Sequence, residues 1–302
     1  MHVWKNIKYQ TSERCVLDVY SSTTKDKCTI ICMHGGSWIL SSKNSASGTS
    51  RILSEHNFTV VTPSYRVSAF ATEDIYRMTG LQFVLLTLSS PSLIMLVLFT
   101  LLLIFIYVVN STTEPPSQHP RHAQDLASVV KWTYDNITDY GGDPNKIFLV
   151  GHSAGGHLVT LVANNTRFLR ELGLSHDVIK GVVALSGVFS DVRLAQTAVG
   201  RQILRLVFGK RPEYYDAFPI WHCRPSSPPH LLINADIDFS LKRHTLDFFV
   251  ALRTQDVAVE TFVAPGTTHF SIHKNWTTDT NDITLCKILD FIHRRYPPTG
   301  RS

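Results

Sequence analysis

Gly151-His152-Ser153-Ala154-Gly155 sets one serine between two glycines, where an apolar run meets a helical one. The run Ile147–Ser153 reads as a strand, and Gly155–Asn165 reads as a helix. A sharp turn between them would present the Ser153 hydroxyl at the carboxyl edge of a sheet. Glycines two before and two after the serine let neighbouring backbone approach the turn. The helix N-terminus behind it favours developing negative charge. That is the setting of a nucleophile for acyl transfer. The bland use of such a serine is to cap a plain strand-to-helix turn.

Acyl transfer builds an oxyanion, which needs N–H donors already in place. His34-Gly35-Gly36-Ser37-Trp38 follows the apolar run Thr29–Met33. Its glycines can bring backbone amides close to a reacting oxygen. Gly35 and Gly36 are assigned as donors, with the Ala154 N–H as the third; His34 is read as structural. The serine also needs a base. His269 lies in Pro265-Gly266-Thr267-Thr268-His269-Phe270, just past the strand-like Val259–Ala264, and His273 is the fallback. A carboxylate should hold the imidazole tautomer. Asp236 and Asp238 both follow the run His230–Ala235. Asp238 lies further past the strand end and is preferred.

These residues need a scaffold that gathers strand ends. Strands are expected at Val16–Tyr20, Thr29–His34, Thr59–Tyr65, Ile147–Ser153, Ile179–Ser186, His230–Ala235 and Val259–Ala264. Helices are expected at Ala46–His56, His122–Ile137, Gly155–Asn165, Arg201–Phe208, Leu241–Gln255 and Ile283–Arg295. Several strands are apolar throughout, as in a parallel sheet covered on both faces. The alternation predicts an α/β fold with a mostly parallel central sheet and helices on both faces.

The chain has 302 residues, 44% hydrophobic and 18% charged, with a net charge of +5. That composition excludes disorder and low-complexity classes, and no Lys/Arg block suggests a nucleic-acid partner. The charge deficit is local. No Asp, Glu, Lys or Arg occurs between Arg77 and Glu114, and the other 266 residues carry all 53 charges, or 20%. Residues 69–117 therefore read as an apolar insertion between 1–68 and 118–302, with 81–109 as its apolar heart. It admits three readings: a transmembrane helix, a membrane-dipping hairpin, or a segment foreign to the native protein. A single span would separate strands that must join one sheet, so a hairpin is easier. The opening residues contain no apolar signal sequence, so a cytosolic catalytic body is expected, membrane-associated if 81–109 is genuine. Five cysteines without a CxxC pair suggest neither a disulfide framework nor a zinc ribbon.

Taken together, the motifs resemble α/β-hydrolase-fold serine esterases of the hormone-sensitive-lipase-like group. The pattern is closest to small carboxylesterase, feruloyl-esterase-like and kynurenine-formamidase-like members. The likeness rests on Leu17-Asp18-Val19-Tyr20, His34-Gly35-Gly36-Ser37-Trp38, Ser64-Tyr65-Arg66, His119-Pro120-Arg121-His122-Ala123-Gln124-Asp125 and Tyr140-Gly141-Gly142-Asp143-Pro144. The serine turn and the His269 loop complete it. It covers nearly the whole chain except 69–117. The resemblance implies the order Ser153, Asp238, His269, and structural roles for Asp125 and Asp143. Two departures stand out: Ser37 replaces a third glycine, and Arg66 lies far from His119.

Residues 187–229 form an excursion expected to cover the substrate. Phe189, Phe208 and Trp221 within it, with Trp38, are assigned to the pocket. The expected activity is hydrolysis of carboxylic esters through an acyl-enzyme, on a small-molecule ester or amide, without cofactor or metal. The rivals are an arylformamidase acting on N-formylkynurenine, a prenylcysteine methyl-esterase or lipid-ester hydrolase at a membrane, and a catalytically silent, membrane-tethered binding module. Oligomeric state is left open.

Overall fold

Alternate residues of the central strands face two different cores. Ile31, Val61, Leu149 and Val182 enter one, while Ile30, Val60, Phe148 and Val183 enter the other. That is the period of two along a strand, in central strands covered on both faces. The computed structural model describes residues 1–21, 27–68, 117–209, 214–273 and 282–297.

Eight strands form the sheet: β1 (His2–Lys8), β2 (Val16–Ser21), β3 (Lys27–Met33), β4 (Thr59–Pro63), β5 (Gly142–His152), β6 (Ile179–Leu185), β7 (His230–Ile237) and β8 (Val259–Thr268). Their spatial order is β1-β2-β4-β3-β5-β6-β7-β8. The pairs β1/β2 and β2/β4 are antiparallel, and all others are parallel. The longer helices are α1 (Ser47–Glu55), α2 (Arg121–Asn136), α3 (Ala154–Asn164), α4 (Ala198–Phe208), α5 (Leu241–Thr254) and α6 (Ile283–His293). α2 and α3 cover one face through Leu126, Val130, Leu158 and Val162. α1 and α6 cover the other through Leu53, Leu285, Ile288 and Phe291. Sixteen residues of α2 with an apolar stripe are a buried-face helix by pattern alone.

The expected mostly parallel α/β sheet is present. Strand β1 was not expected, because its sequence alternates poorly and its side chains are largely exposed. It is an edge strand with a register shift between Trp4 and Ile7, where Asn6 takes φ 57°. Asparagine tolerates that conformation better than most residues. The Asn6 N–H donates to Asp18 at 2.8 Å, which pins the bulge. Arg66 clasps the buried Asp125 on α2 through its backbone N–H at 2.9 Å and its Nε at 3.1 Å. That contact joins the end of β4 to α2 across the long sequence gap between them.

Residues 69–116 lie outside the described residues, and with them the apolar stretch 81–109. Among the described residues, no helix is long and apolar enough to cross a membrane. The five cysteines are free thiols.

Candidate active site

The turn after β5 is held by close backbone packing. Ser153 has φ 55° and ψ −118°, a conformation that points its side chain out of the turn. The Ser153 N–H donates to the Leu185 carbonyl at 2.8 Å, tying the turn to the end of β6. Gly155 leaves no room for a side chain. A Cβ there would lie 2.4 Å from the Met33 carbonyl oxygen and 2.6 Å from that of His34. The serine turn and the His34–Trp38 loop are therefore in direct backbone contact.

That loop turns through Gly36 at φ +112°, where the N–H groups of Ile39 and Leu40 both donate to the Gly36 carbonyl at 3.0 Å. Among the described residues, no backbone–backbone hydrogen bond engages the N–H of Gly35 or Gly36. Ala154 opens α3, so its N–H has no intrahelical acceptor. Ser37 and Trp38 continue at φ 53° and 62°, a costly run for non-glycine residues. Trp38 anchors it. Its Nε1–H donates to His157 Nδ1 at 3.1 Å, and His157 Nε2–H donates to the Ala217 carbonyl at 2.7 Å. Those two bonds fix the His157 tautomer. Burial holds His157 neutral, with its pKa pushed down to about 3.

His269 places Nε2 3.1 Å from Ser153 Oγ and Nδ1 2.8 Å from Asp238 Oδ1. The other oxygen of Asp238 accepts from Asn234 Nδ2 at 2.8 Å and the Ala235 N–H at 3.1 Å. Burial works against the charge on Asp238, yet hydrogen bonds from His269, Asn234 and Ser186 outweigh it and hold the pKa below its ordinary value. An ionised Asp238 requires Nδ1–H on His269, which leaves Nε2 to accept the seryl proton. Asp236 is exposed and faces Lys242 at 3.5 Å instead. The structure thus brings together Ser153, His269 and Asp238, and it leaves Asp236 outside. His273 stacks near His152, with ring centroids 4.4 Å apart.

The sequence pattern gives His152 no role of its own. Its Nε2–H donates to the His269 carbonyl at 2.8 Å and so holds the backbone of His269. Burial keeps it neutral, pushing its pKa to about 3, with the neighbouring His273 and His269 acting in the same direction. His34 is structural in its contacts: it stacks on Tyr65 at 4.5 Å, and its ring nitrogen pairs with the Gly35 carbonyl.

A cavity of about 1110 Å³ opens over Ser153. Trp38 lines it, but the other three aromatics expected in the pocket do not. Phe189 stacks on Phe248 at 4.7 Å and Phe208 packs on Trp38 and Phe218, so both are core. Trp221 is 45% exposed, donates to Asp191 and does not border the cavity. The 187–229 excursion instead contributes Arg193, Leu194, Val199 and Ile203. Large aromatics were the natural choice for a pocket, yet they bury the most area by packing the excursion onto the sheet. Phe239 and Phe270, on the loops that carry Asp238 and His269, supply the aromatic rim. Their adjacency to those residues was the available signal.

A family model described as BD-FAE matches residues 105–247. The probable carboxylic ester hydrolase LipM of Mycobacterium tuberculosis is 30% identical over 141 residues, covering 43% of this chain and 33% of that protein. Isoprenylcysteine alpha-carbonyl methylesterase ICME of Arabidopsis thaliana is 26% identical over 162 residues, covering 48% and 38%. The matches span about a third of the length of these curated relatives. Among solved structures, a phosphonate-inhibited esterase B from Lactobacillus rhamnosis superposes with TM-score 0.71 at 17% identity, covering 97% of this chain and 85% of that one. EstE1, a carboxylesterase from a metagenomic library, gives 0.66 at 16%, covering 93% and 85%. At such identities the structural likeness establishes the fold.

Proposed function

Taking the chain as an α/β-hydrolase of the hormone-sensitive-lipase-like esterase group, we propose that it hydrolyses carboxylic esters of small molecules through an acyl-enzyme. The observation that carries this reading is the continuous hydrogen-bonded line from Ser153 Oγ through His269 to Asp238. In this reading His269 Nε2 takes the Ser153 proton as Oγ attacks the ester carbonyl. The imidazolium that forms is stabilised by Asp238, which stays ionised. The N–H groups of Gly35, Gly36 and Ala154 receive the oxyanion. His269 then returns the proton to the leaving alkoxide, freeing the alcohol. Water attacks the acyl-enzyme with His269 again as base, and the carboxylic acid leaves. Every step uses side chains and amides of this chain. The similarity to a plant methylesterase acting on an isoprenylcysteine carbonyl keeps a lipid-linked methyl ester as a second substrate class. Membrane contact through 81–109 rests on the sequence pattern alone.

The test is hydrolysis of p-nitrophenyl acetate, butyrate and octanoate by purified protein, beside N-formylkynurenine, against Ser153→Ala. Ester turnover lost in Ser153→Ala is the expected result. Preferential turnover of N-formylkynurenine would move the reading to a formamidase. A folded protein that turns over none of them and fails to label with a fluorophosphonate would sink the hydrolase reading in favour of a binding module.

A further inference from the structure

The cavity that opens over Ser153 has a second polar end. Ser240, Leu241, Arg243 and His244, all at the start of α5, line it together with Arg193. α5 has 14 residues, and its N-cap Ser240 makes no side-chain capping bond. Its first turn carries no acidic residue. The positive end of that helix therefore faces the cavity without a countercharge from its own turn.

His244 supplies an independent indication of a ligand. The side chain is only 5% exposed, so it is nine-tenths buried. Its Nδ1 accepts from the N–H groups of Phe189 and Ser190, both at 3.3 Å. That use of Nδ1 puts the ring proton on Nε2. Among the described residues the Nε2–H has no hydrogen-bond partner, and it is not sealed within the protein. The residue that carries this donor borders the cavity. Burial keeps the ring neutral, with its pKa pushed to about 4, so Nε2–H acts as a fixed neutral donor.

The charges agree in sign. Arg193 spends Nε and one terminal nitrogen on Asp247, at 2.6 and 2.9 Å. Arg243 is exposed and forms no ion pair among the described residues. No Asp or Glu borders the cavity among the described residues. A carboxylate there meets donors and a cation, whereas an ammonium group meets no countercharge. We propose that the N-terminal turn of α5, with His244 Nε2–H and Arg243, is a subsite for a carboxylate on the ester substrate, remote from the scissile bond. The substrate class is the monoester of a dicarboxylic acid, and the inference rests on the hydrolase reading above.

The test compares kcat/KM for the monomethyl esters of succinate, glutarate and adipate with neutral isosteres in which an isopropyl group replaces the carboxylate. The expected result is a preference of about tenfold or more for the best-fitting anionic ester, the scale of a charge-assisted hydrogen bond. Arg243→Glu should erase that ratio, and Arg243→Gln should reduce it. Equal kcat/KM for both members of every pair, or a ratio unchanged in Arg243→Glu, overturns the subsite and leaves the hydrolase reading intact. If the folded wild type hydrolyses neither ester, the p-nitrophenyl esters and the fluorophosphonate label decide the hydrolase reading separately. Calorimetric titration with monomethyl adipate then decides the subsite: binding lost in Arg243→Glu keeps it, and no binding to wild type removes it.

Discussion

Ile237 on β7 and Thr268 on β8 are register partners, and each immediately precedes a member of the site, Asp238 and His269. The His269 N–H donates to the Ile237 carbonyl at 3.0 Å, which extends the ladder one step into the loops. The 2.8 Å contact between His269 and Asp238 is thus a continuation of strand pairing. Parallel strands beside each other deliver their carboxyl ends to one edge, and this register aligns the two loops at their first residues.

Asp238→Asn tests the tautomer role. Asparagine retains the shape but supplies an amide where His269 Nδ1–H needs an acceptor. kcat on p-nitrophenyl butyrate should fall by roughly 10³ to 10⁴, with KM little changed. A loss under about tenfold would remove Asp238 from the mechanism. Asp236→Asn, at an exposed position, serves as the comparison and should change kcat by less than about twofold.

Gly155→Ala tests the backbone contact between the two loops. Its methyl would collide with the Met33 and His34 carbonyl oxygens, which are backbone atoms. Destabilisation of about 2 kcal/mol or more is expected from overpacking. Urea unfolding and kcat should fall together, because the same collision displaces the His34–Trp38 loop. Wild-type stability in this variant would contradict the packing described.

Trp38→Phe removes the donor to His157 Nδ1 and leaves a buried acceptor unpaired. The cost should be about 1–3 kcal/mol in urea unfolding. Loosening of the Ser37–Trp38 backbone should also lower kcat by roughly tenfold while KM changes less. A variant with normal kcat would limit Trp38 to packing.

Acid should destabilise the fold before it protonates the carboxylates. His122, His152 and His157 have pKa values pushed to about 3, and His34, His230 and His244 to about 4, all by burial first. Above about pH 6.5 these rings are neutral in both the folded and unfolded chains. Below it the unfolded chain binds protons that the folded one refuses. Stability therefore falls with pH down to the folded values, by at most about 1.4 kcal/mol per pH unit for each histidine. Asp238, whose pKa is lowered, adds stability present above about pH 4 and lost as pH falls through its folded value. The urea midpoint should drop steeply between pH 7 and pH 5. A flat midpoint over that range would exclude the six neutral buried histidines.

The candidate site positions were legible in the sequence for local reasons. Ser153 announced itself because a strand, a glycine-bounded turn and a helix follow one another within about twenty residues. Gly35 and Gly36 did so because only glycine permits that loop beside the turn. The alternation of apolar strands and amphipathic helices determined a mostly parallel sheet with two cores. These features depend on short-range periodicity and on the steric rules of glycine, which the chain carries without reference to distant parts.

The remaining choices depend on what lies opposite, and only the tertiary structure makes them. The contrast between Asp238 and Asp236 follows from the β7–β8 register, which turns one carboxylate toward His269 and the other toward Lys242. The Trp38–His157 bond joins residues far apart in the chain. Phe189, Phe208 and Trp221 had the right type for a pocket, but packing sent two to the core and one to the surface. The edge strand β1 lacks the apolar pattern that would announce it, since an edge with solvated side chains draws its stability from pairing with β2. The polar end of the cavity arises where the start of α5 meets Arg193 from another segment, a juxtaposition no local pattern encodes. Local periodicity specified which elements form, and long-range register and burial decided which of their side chains meet.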